Sequence, residues 1–177
     1  MFLGSTEIKR LILEKSMIKG YRNLDEQLQP NGFDLTVEKI EYFTTDGSVW
    51  RQGKRLPLMK SLDDKGEWFG YDENDEQWRL PRGEYLITFN EEINLPKDIA
   101  AISMQRSTVM RCGAMTIVGS WDAGYNGKGC NLLIVANPEG FIIDKDARVV
   151  QMHFIPISGG NHCYNGNYQG ENINVAC

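Results

Sequence analysis

The chain reads AMTIVGSWDAGYNGKGCNLLIVAN at residues 114–137, where two apolar runs flank a turn that contains four glycines. Short apolar runs bounded by glycine are typical of β-strands, and the pattern therefore predicts a β-hairpin. Within the turn, Asp122 lies between Trp121 and Tyr125, and such aromatic neighbours can hold a carboxylate partly out of water. Taken alone, a tight turn accounts for these residues better than a functional site does.

Further short runs lie on both sides of this hairpin, and glycine, proline or asparagine interrupts them. They are GEYLITF (83–89), DIAAISM (98–104) and ARVVQMHFIPI (147–157). Further upstream, the stretch FDLTV (33–37) alternates apolar and polar residues, which predicts a half-buried strand. Many short strands at this spacing are typical of an antiparallel β domain of the barrel or jelly-roll type.

Two helices are predicted beside these strands. Residues 6–18 carry apolar side chains at helical spacing, with Ser5 as a candidate N-cap and Gly20 as a candidate end. The segment STVMR (107–111) can form a short helix between two strands. The expected fold class is therefore mostly β, a distorted barrel or jelly-roll with an N-terminal helix and one short helix.

At 177 residues the chain is expected to form a single domain over residues 1–177. Residues 44–80 differ in character, because they hold three of the four tryptophans. Seven acidic residues also lie between Ser61 and Trp78. We interpret this stretch as an acidic, tryptophan-anchored excursion from the domain, such as a long hairpin, and not as a second domain.

The formal net charge is −5 and the isoelectric point is about 5.1, which argues against a nucleic-acid-binding surface. A protein of this charge can bind an anionic small molecule only through a local group of arginines. No apolar run approaches the ~18 residues of a membrane span, and the N-terminal MFLGSTEIKR lacks the apolar core of a signal peptide. We expect a cytoplasmic protein without a membrane partner.

The chain has four cysteines and two histidines, and no C-x-x-C pair. His162, Cys163 and Cys177 do not have the spacing of a zinc site. We therefore interpret the cysteines as reduced, mostly buried residues. The same absence disfavours a zinc-dependent deaminase, which needs H-x-E and P-C-x-x-C motifs.

Three segments besides the turn carry polar groups that strand packing does not require. QRSTVMR (105–111) offers two guanidiniums, two hydroxyls and a helix start, which together favour an anion site. ARVVQ (147–151) places Gln151 in an apolar strand, and YNGNYQG (164–170) offers two tyrosines and an amide. Taken singly, QRSTVMR can be a capped helix, Gln151 of ARVVQ an edge-strand residue, and YNGNYQG a loop. Their occurrence together favours a function.

In this order NGFDL, LPKDIAAISMQRSTVMRCG, VGSWDAGYNGKG, ARVVQMHF and YNGNYQGEN resemble the successive motifs of the dUTPase and dCTP deaminase superfamily. The chain most resembles the archaeal-type dUTPases, from the first helix to YQGEN, with residues 44–80 as the main stretch left out. The resemblance implies a homotrimeric, distorted jelly-roll with active sites between subunits. It also implies hydrolysis of dUTP to dUMP and pyrophosphate with Mg²⁺.

The resemblance implies roles for individual residues. Asp122 would orient the water that attacks the α-phosphorus, and Tyr125 would stack beneath the deoxyribose and exclude a 2′-hydroxyl. The glycines of the turn would let backbone amides reach the uracil. Mg²⁺ would be held mainly by phosphate oxygens and waters. Asp34 would have a structural role or contact the ion through water.

The triphosphate would be bound by the short helical segment and by the end of the chain. Arg106, with a catalytic role as well, and the hydroxyls of Ser107 and Thr108 would contact phosphates, whereas Arg111 would support a neighbouring site or a subunit interface. Further substrate contacts are expected from Gln151, Tyr164, Tyr168 and Gln169. Many dUTPases close the site with an arginine-containing C-terminal arm, but this chain has no Lys or Arg after Arg148. Either YNGNYQG closes the site or the phosphate contacts come from elsewhere.

Two alternatives within the superfamily remain. dCTP deaminases carry a catalytic glutamate on the strand after the turn, and here KGCNLLIVANP (128–138) has no acidic residue. Asn131 can hydrogen-bond a base but cannot carry a proton, so deamination, alone or in a bifunctional enzyme, is disfavoured. A non-catalytic nucleotide-binding regulator is disfavoured by Asp122. A plain β-sandwich interaction module gives the arginines and Asp122 no reason to coexist.

Overall fold

The computed structural model describes residues 1–51, 53–62, 70–72, 76–117, 119–159 and 162–173. Within these ranges the chain forms three helices, α1 (Ser5–Lys15), α2 (Leu24–Gln27) and α3 (Ser107–Arg111). The strands of the same ranges are β1 (Ile18–Lys19), β2 (Leu28–Gln29), β3 (Gly32–Phe43), β4 (Ser48–Trp50), β5 (Gly53–Arg55), β6 (Met59–Ser61), β7 (Gly70–Asp72), β8 (Gln77–Leu80), β9 (Gly83–Phe89), β10 (Glu92–Asn94), β11 (Ile99–Gln105), β12 (Ala114–Ile117), β13 (Ser120–Trp121), β14 (Asn126–Gly127), β15 (Cys130–Val135), β16 (Phe141–Asp144) and β17 (Arg148–Pro156).

The main sheet has nine strands and curls into half a barrel. Seven strands follow the order β12-β15-β9-β3-β17-β11-β13, and β2 and β6 also pair with β3. Two three-stranded sheets, β1-β10-β14 and β16-β8-β7, and the β4-β5 hairpin complete the structure of the described residues. All of these pairings are antiparallel, so the predicted mostly β, jelly-roll class is confirmed.

The predicted hairpin is present, because β12 and β15 pair antiparallel from Ala114 opposite Val135 to Ile117 opposite Leu132. The residues between these strands do not form one tight turn. Instead β13 leaves to pair with β11, and β14 pairs with β10. The connection is therefore spread over two sheets, and Asp122 lies between its two short strands.

Both predicted helices are present; the short one has the predicted bounds, Ser107–Arg111, and the first has different ends. The first begins at Ser5 and ends at Lys15, so the cap is Gly4 and not Ser5. Ser16 adopts a left-handed conformation, with φ of 52°, and closes the helix well before Gly20. Helix α2 was not predicted from the sequence; Asn23 caps it by accepting hydrogen bonds from two backbone N–H groups.

The prediction of a half-buried strand at residues 33–37 is wrong. Phe33, Leu35 and Val37 are fully buried, but Asp34 and Thr36 are also at most 1% exposed. Their strand, β3, is central in the sheet, and both of its edges are paired. Alternation predicts a polar face toward solvent, whereas here the polar face meets other polar side chains of the protein.

The stretch 44–80 is described in part. Trp78 is 1% exposed and anchors β8 in the core, whereas Trp50 on the β4-β5 hairpin is 55% exposed. The third tryptophan, Trp68, and most of the acidic residues lie outside the described residues. Of the two described tryptophans, Trp78 therefore anchors the stretch as predicted and Trp50 does not.

The prediction that the cysteines are mostly buried is wrong for the described ones. Cys112 and Cys163 are exposed and Cys130 is half-buried, because the first two lie on a helix end and on a surface segment; all three are free thiols. Cys177 lies outside the described residues. In the part of the chain that the structure describes, no group of three His, Cys, Asp or Glu is placed to hold a metal ion. No helix of the described residues combines the length and hydropathy that a membrane span needs.

Candidate active site

The turn around Asp122 lines a surface pocket of about 150 Å³. Asp122 is exposed at this pocket, whereas Tyr125 is only 5% exposed. The ring of Tyr125 makes edge contacts with Trp121, at a centroid distance of 5.2 Å, and with Tyr164, at 5.7 Å. Strand β15 contributes Cys130 and Asn131 to the wall. A carboxylate thus lies beside a ring that its aromatic neighbours hold in place.

Residues 162–173, here called the C-terminal segment, return to this turn and complete the pocket. The Gln169 side chain donates to the Gly124 carbonyl at 3.0 Å and accepts from the Asn126 N–H at 3.1 Å. Both ends of this amide therefore bind the turn. Backbone hydrogen bonds from Gly170 to Asn126 and from Lys128 to Glu171 add to the contact. The segment is joined to the turn by a short ladder of hydrogen bonds.

Two glycines of the turn are required by close packing within the protein. A Cβ atom on Gly129 would lie 2.1 Å from the ring of Trp121. Gly124 has a φ of 81°, and a Cβ atom there would lie 2.8 Å from the Cβ of Cys163. These glycines allow Trp121 and the C-terminal segment to approach the turn, which is a use that the sequence analysis did not assign to them.

Glu171 brings a second carboxylate to the pocket wall, and the sequence analysis missed it. Tyr125 donates its hydroxyl to Glu171 Oε1 at 2.9 Å. Burial raises the pKa of Glu171, although this hydrogen bond and the charge of Lys54 act against the shift. Burial also raises the pKa of Tyr125, and that of the Cys130 thiol to about 11. At neutral pH Tyr125 is therefore a hydrogen-bond donor, and Cys130 is not a thiolate.

The arginine of the second motif lies beside the central strand. Arg106 precedes α3, and its Nε lies 3.3 Å from Asp34 Oδ2. Gln151 donates to Asp34 Oδ1 at 3.1 Å, and Arg148 Nη1 lies 3.6 Å from Oδ2. The β3–β17 register, which places Asp34 opposite Gln151, brings these groups together. One buried carboxylate thus orients two guanidiniums and an amide.

Asp34 itself is inaccessible, since its side chain is 0% exposed. Burial raises its pKa, and Arg106, Gln151 and Arg148 oppose the shift. A carboxylate in this position cannot contact solvent or a solvated ion without a rearrangement. The arrangement favours a structural role for Asp34 over a water-mediated metal contact.

Arg106 borders two surface pockets, of about 270 and 240 Å³. The larger also contains Ser107 and Gln151, and the smaller contains Thr108 and Arg148. Because α3 has only five residues, the anion-binding capacity of this region rests on side chains more than on a helix dipole. Arg111 is exposed at the end of α3 and lines neither pocket.

The structure therefore divides the predicted site residues of one chain into two groups. The first surrounds the turn and contains Asp122, Tyr125, Tyr164, Tyr168 and Gln169, and the second surrounds Arg106 and contains Ser107, Thr108 and Gln151. None of these three pockets includes residues of both groups. Sequence reasoning missed Arg148 and Glu171, although both belong to stretches that it singled out for other residues.

Archaeal proteins similar to this chain match it over nearly their full length. Residues 2–157 match the family model described as dCTP deaminase-like. A Methanosarcina barkeri protein named probable deoxyuridine 5′-triphosphate nucleotidohydrolase is 38% identical over 174 residues, which cover 96% of this chain and 97% of the relative. A protein of the same name from Archaeoglobus fulgidus is 36% identical over 173 residues, and 97% of each chain is covered.

The fold also recurs in a solved structure. The 2′-deoxycytidine 5′-triphosphate deaminase of Agrobacterium tumefaciens superposes with a TM-score of 0.65 at 21% identity. The superposition covers 86% of this chain and 47% of that one. It confirms the predicted jelly-roll architecture, and the archaeal relatives confirm the resemblance seen in the motifs. The chain belongs to the dCTP deaminase-like family.

Proposed function

We propose that this protein is a dUTP diphosphatase that hydrolyses dUTP to dUMP and pyrophosphate. The observation that carries the proposal is the exposed carboxylate of Asp122 beside the buried ring of Tyr125 in one pocket. Asp122 would accept a proton from the water that attacks the α-phosphorus, and pyrophosphate would leave. The archaeal relatives with this name support the assignment.

Tyr125 would select the sugar. Its ring is fixed by Trp121, Tyr164 and the hydrogen bond to Glu171, so it cannot move aside for a 2′-hydroxyl. The base would enter toward Asn131 on β15, where the side chain is buried and its Nδ2 has no hydrogen-bond partner within the described residues. An unpaired buried amide is a group that a nucleobase carbonyl can satisfy.

Arg106, Ser107, Thr108 and Gln151 would bind the triphosphate, and we add Arg148 to this set. The chain has no Lys or Arg after Arg148, and Arg148 would supply a second guanidinium because it lies beside the same carboxylate as Arg106. The two groups of residues line different pockets of one chain, which supports a site that the Arg106 group of another subunit completes. We therefore propose a homotrimer with sites between subunits, in which exposed Arg111 lies near an interface.

Mg²⁺ is part of the proposal as an ion that accompanies the nucleotide. Asp34 is buried and paired, and the described residues hold no cluster of three metal-binding side chains. This donor set fits an ion bound by phosphate oxygens and waters, which Mg²⁺ prefers, and not a protein cage. When bound, the ion would neutralise charge on the triphosphate.

The expected single domain over residues 1–177 and the cytoplasmic location stay predictions.

Glu171 favours a second candidate function, deamination of dCTP, alone or followed by hydrolysis. A deaminase needs a carboxyl group that carries protons at the base, and β15 supplies none. Glu171 reaches the same pocket from the C-terminal segment, and its raised pKa brings it closer to the proton affinity that such a role requires. Its hydrogen bond with Tyr125 instead makes it a support for the ring, and we rank deamination second.

One experiment separates these functions. The protein is incubated with Mg²⁺ and either dUTP or dCTP, and pyrophosphate and ammonia are measured separately. We expect pyrophosphate from dUTP and no ammonia from either nucleotide. Ammonia from dCTP that disappears in Glu171→Gln would establish the deaminase instead. Tight dUTP binding without any product would indicate a regulator. Light scattering gives the oligomeric state, and a monomer that still hydrolyses dUTP would overturn the shared site.

A further inference from the structure

The β4-β5 hairpin contacts the C-terminal segment through one pair of side chains. Lys54 Nζ lies 2.6 Å from the hydroxyl oxygen of Tyr168, to which it donates a hydrogen bond. The same Nζ lies 3.9 Å from the centroid of the Tyr168 ring. An ammonium group over an aromatic face is attracted by the ring as well as by the hydroxyl. The hairpin belongs to residues 44–80, for which the proposed function has no role.

Burial does not account for this contact. Val49 is 88% exposed and Trp50 is 55% exposed, so the hairpin is not packed into the core. Its own geometry is tight, because a Cβ atom on Gly53 would lie 2.9 Å from Nε1 of Trp50. The residue after this close approach is Lys54. The hairpin thus presents a cation on a compact support at the surface.

Tyr168 connects Lys54 to the pocket. Its backbone N–H donates to the hydroxyl of Tyr164 at 3.2 Å, and the Tyr164 ring packs against Tyr125. Its carbonyl accepts from the N–H of Glu171 at 3.2 Å, and Glu171 in turn accepts the Tyr125 hydroxyl. Both routes from Tyr168 end on the ring beside Asp122. A displacement of Tyr168 therefore reaches the pocket wall.

The positive charge of Lys54 matters because the C-terminal segment has no Lys or Arg of its own. Residues 162–173 contain no Lys or Arg and one acidic residue, Glu171. In the proposed function this acidic segment lies close to an anionic nucleotide, and repulsion would open it. Lys54 provides positive charge beside the segment, and its field acts on the Glu171 carboxylate.

We propose that Lys54 is a positioning residue, which holds the C-terminal segment across the Asp122 pocket through Tyr168. This gives the β4-β5 hairpin the role of an external support for the active site. The inference rests on the proposed function, because it assumes that the pocket binds the nucleotide. Lys54 acts through Tyr168 and does not take part in the reaction itself.

The test compares Lys54→Met, which keeps the apolar stem and removes the charge, with Arg55→Ala. Arg55 is the matched control, since it is the next residue on β5 and pairs with Asp46 instead of the C-terminal segment. The first measurement is hydrogen exchange of residues 162–173 in the nucleotide-free protein. We expect faster exchange at Gly170 and Glu171 in Lys54→Met and unchanged exchange in Arg55→Ala.

The second measurement is steady-state kinetics with dUTP. Lys54→Met should raise KM by about threefold to fivefold, the size of effect expected from one exposed cation–aromatic contact, with kcat nearly unchanged. Adding Tyr168→Phe to Lys54→Met should have less effect than in the wild type, because the pair acts as a unit. Unchanged exchange, or an unchanged KM with faster exchange, would overturn the positioning role. If the wild type does not hydrolyse dUTP, the proposed function fails, and the exchange measurement alone decides whether Lys54 holds the segment.

Discussion

The hydroxyl of Tyr125 donates a hydrogen bond to the carboxylate of Glu171, which lies 2.9 Å away and 46 positions later in the chain. The ring that we propose as the sugar selector is therefore fixed at its outer end by the C-terminal segment. In the proposed function, this one contact couples sugar selection to closure of the pocket.

Tyr125→Phe should separate the ring from its hydrogen bond. We expect this variant to keep the preference for dUTP over UTP, because the ring still occupies the space below the sugar. Tyr125→Ala should lose dUTP activity, narrow the gap between the two nucleotides, and lower the free energy of unfolding by about 3 kcal/mol, as for other buried aromatic truncations. Rates with both nucleotides and urea unfolding check this. A wild type that uses UTP well would refute the assignment of the ring.

Arg106→Ala should weaken both catalysis and the fold. The loss of a charge-assisted phosphate contact should reduce transition-state stabilisation by about 2–4 kcal/mol. The fold is weakened because Asp34 keeps its buried charge but loses the guanidinium at 3.3 Å. Measurements of kcat/KM and of denaturant midpoint give the two effects. Near-normal turnover by Arg106→Ala would place the phosphate site elsewhere.

Asp122→Asn should lower turnover strongly with little effect on stability. Asp122 is exposed, so its replacement should change the free energy of unfolding by less than about 0.5 kcal/mol. Loss of the base should lower kcat by about 10²–10⁴ while nucleotide binding remains. Single-turnover kinetics and calorimetric binding of dUTP to the variant test the two halves of this prediction. Full activity would exclude Asp122 as the base.

Glu91 should make stability depend on pH. It is fully buried and accepts hydrogen bonds from Gln27 Nε2 and from the backbone N–H and hydroxyl of Thr36. Burial nevertheless raises its pKa, so the folded state holds the Glu91 proton more tightly than the unfolded state does. The contribution of this group is therefore fully present below its ordinary pKa and is lost as pH rises through the raised value, at no more than about 1.4 kcal/mol per pH unit.

Glu91→Gln removes this titration but leaves an amide opposite hydrogen-bond donors. The variant should be less stable than the wild type, and the difference should shrink between pH 5 and pH 7.5. Urea unfolding of both proteins across this range gives the difference directly. A deficit that grows with pH would mean that the donors outweigh burial, and that the Glu91 carboxylate is stabilised in its charged form.

Short-range sequence patterns predicted those strands and helices that depend only on neighbouring residues. The apolar runs became β9, β11, β12, β15 and β17, and STVMR became α3, because period and glycine placement suffice for them. The burial of Asp34 was not predictable in this way. It depends on pairing of β3 with β17, more than 100 residues later, and on Arg106 from a third segment. Arg148 and Glu171 were missed for the same reason, since their partners are distant in sequence.

The central place of β3 in the sheet also has a consequence for biosynthesis. Residues 32–43 leave the ribosome early, but their neighbour β17 follows only after roughly a hundred further residues, which takes about 5–20 s at ordinary rates of translation. During this time Phe33 and Leu35 cannot be covered by their final partner, and Asp34 has neither Arg106 nor Arg148 beside it. These side chains therefore stay without their final partners until β17 has emerged, and the proposed nucleotide site is among the last parts of the protein to form.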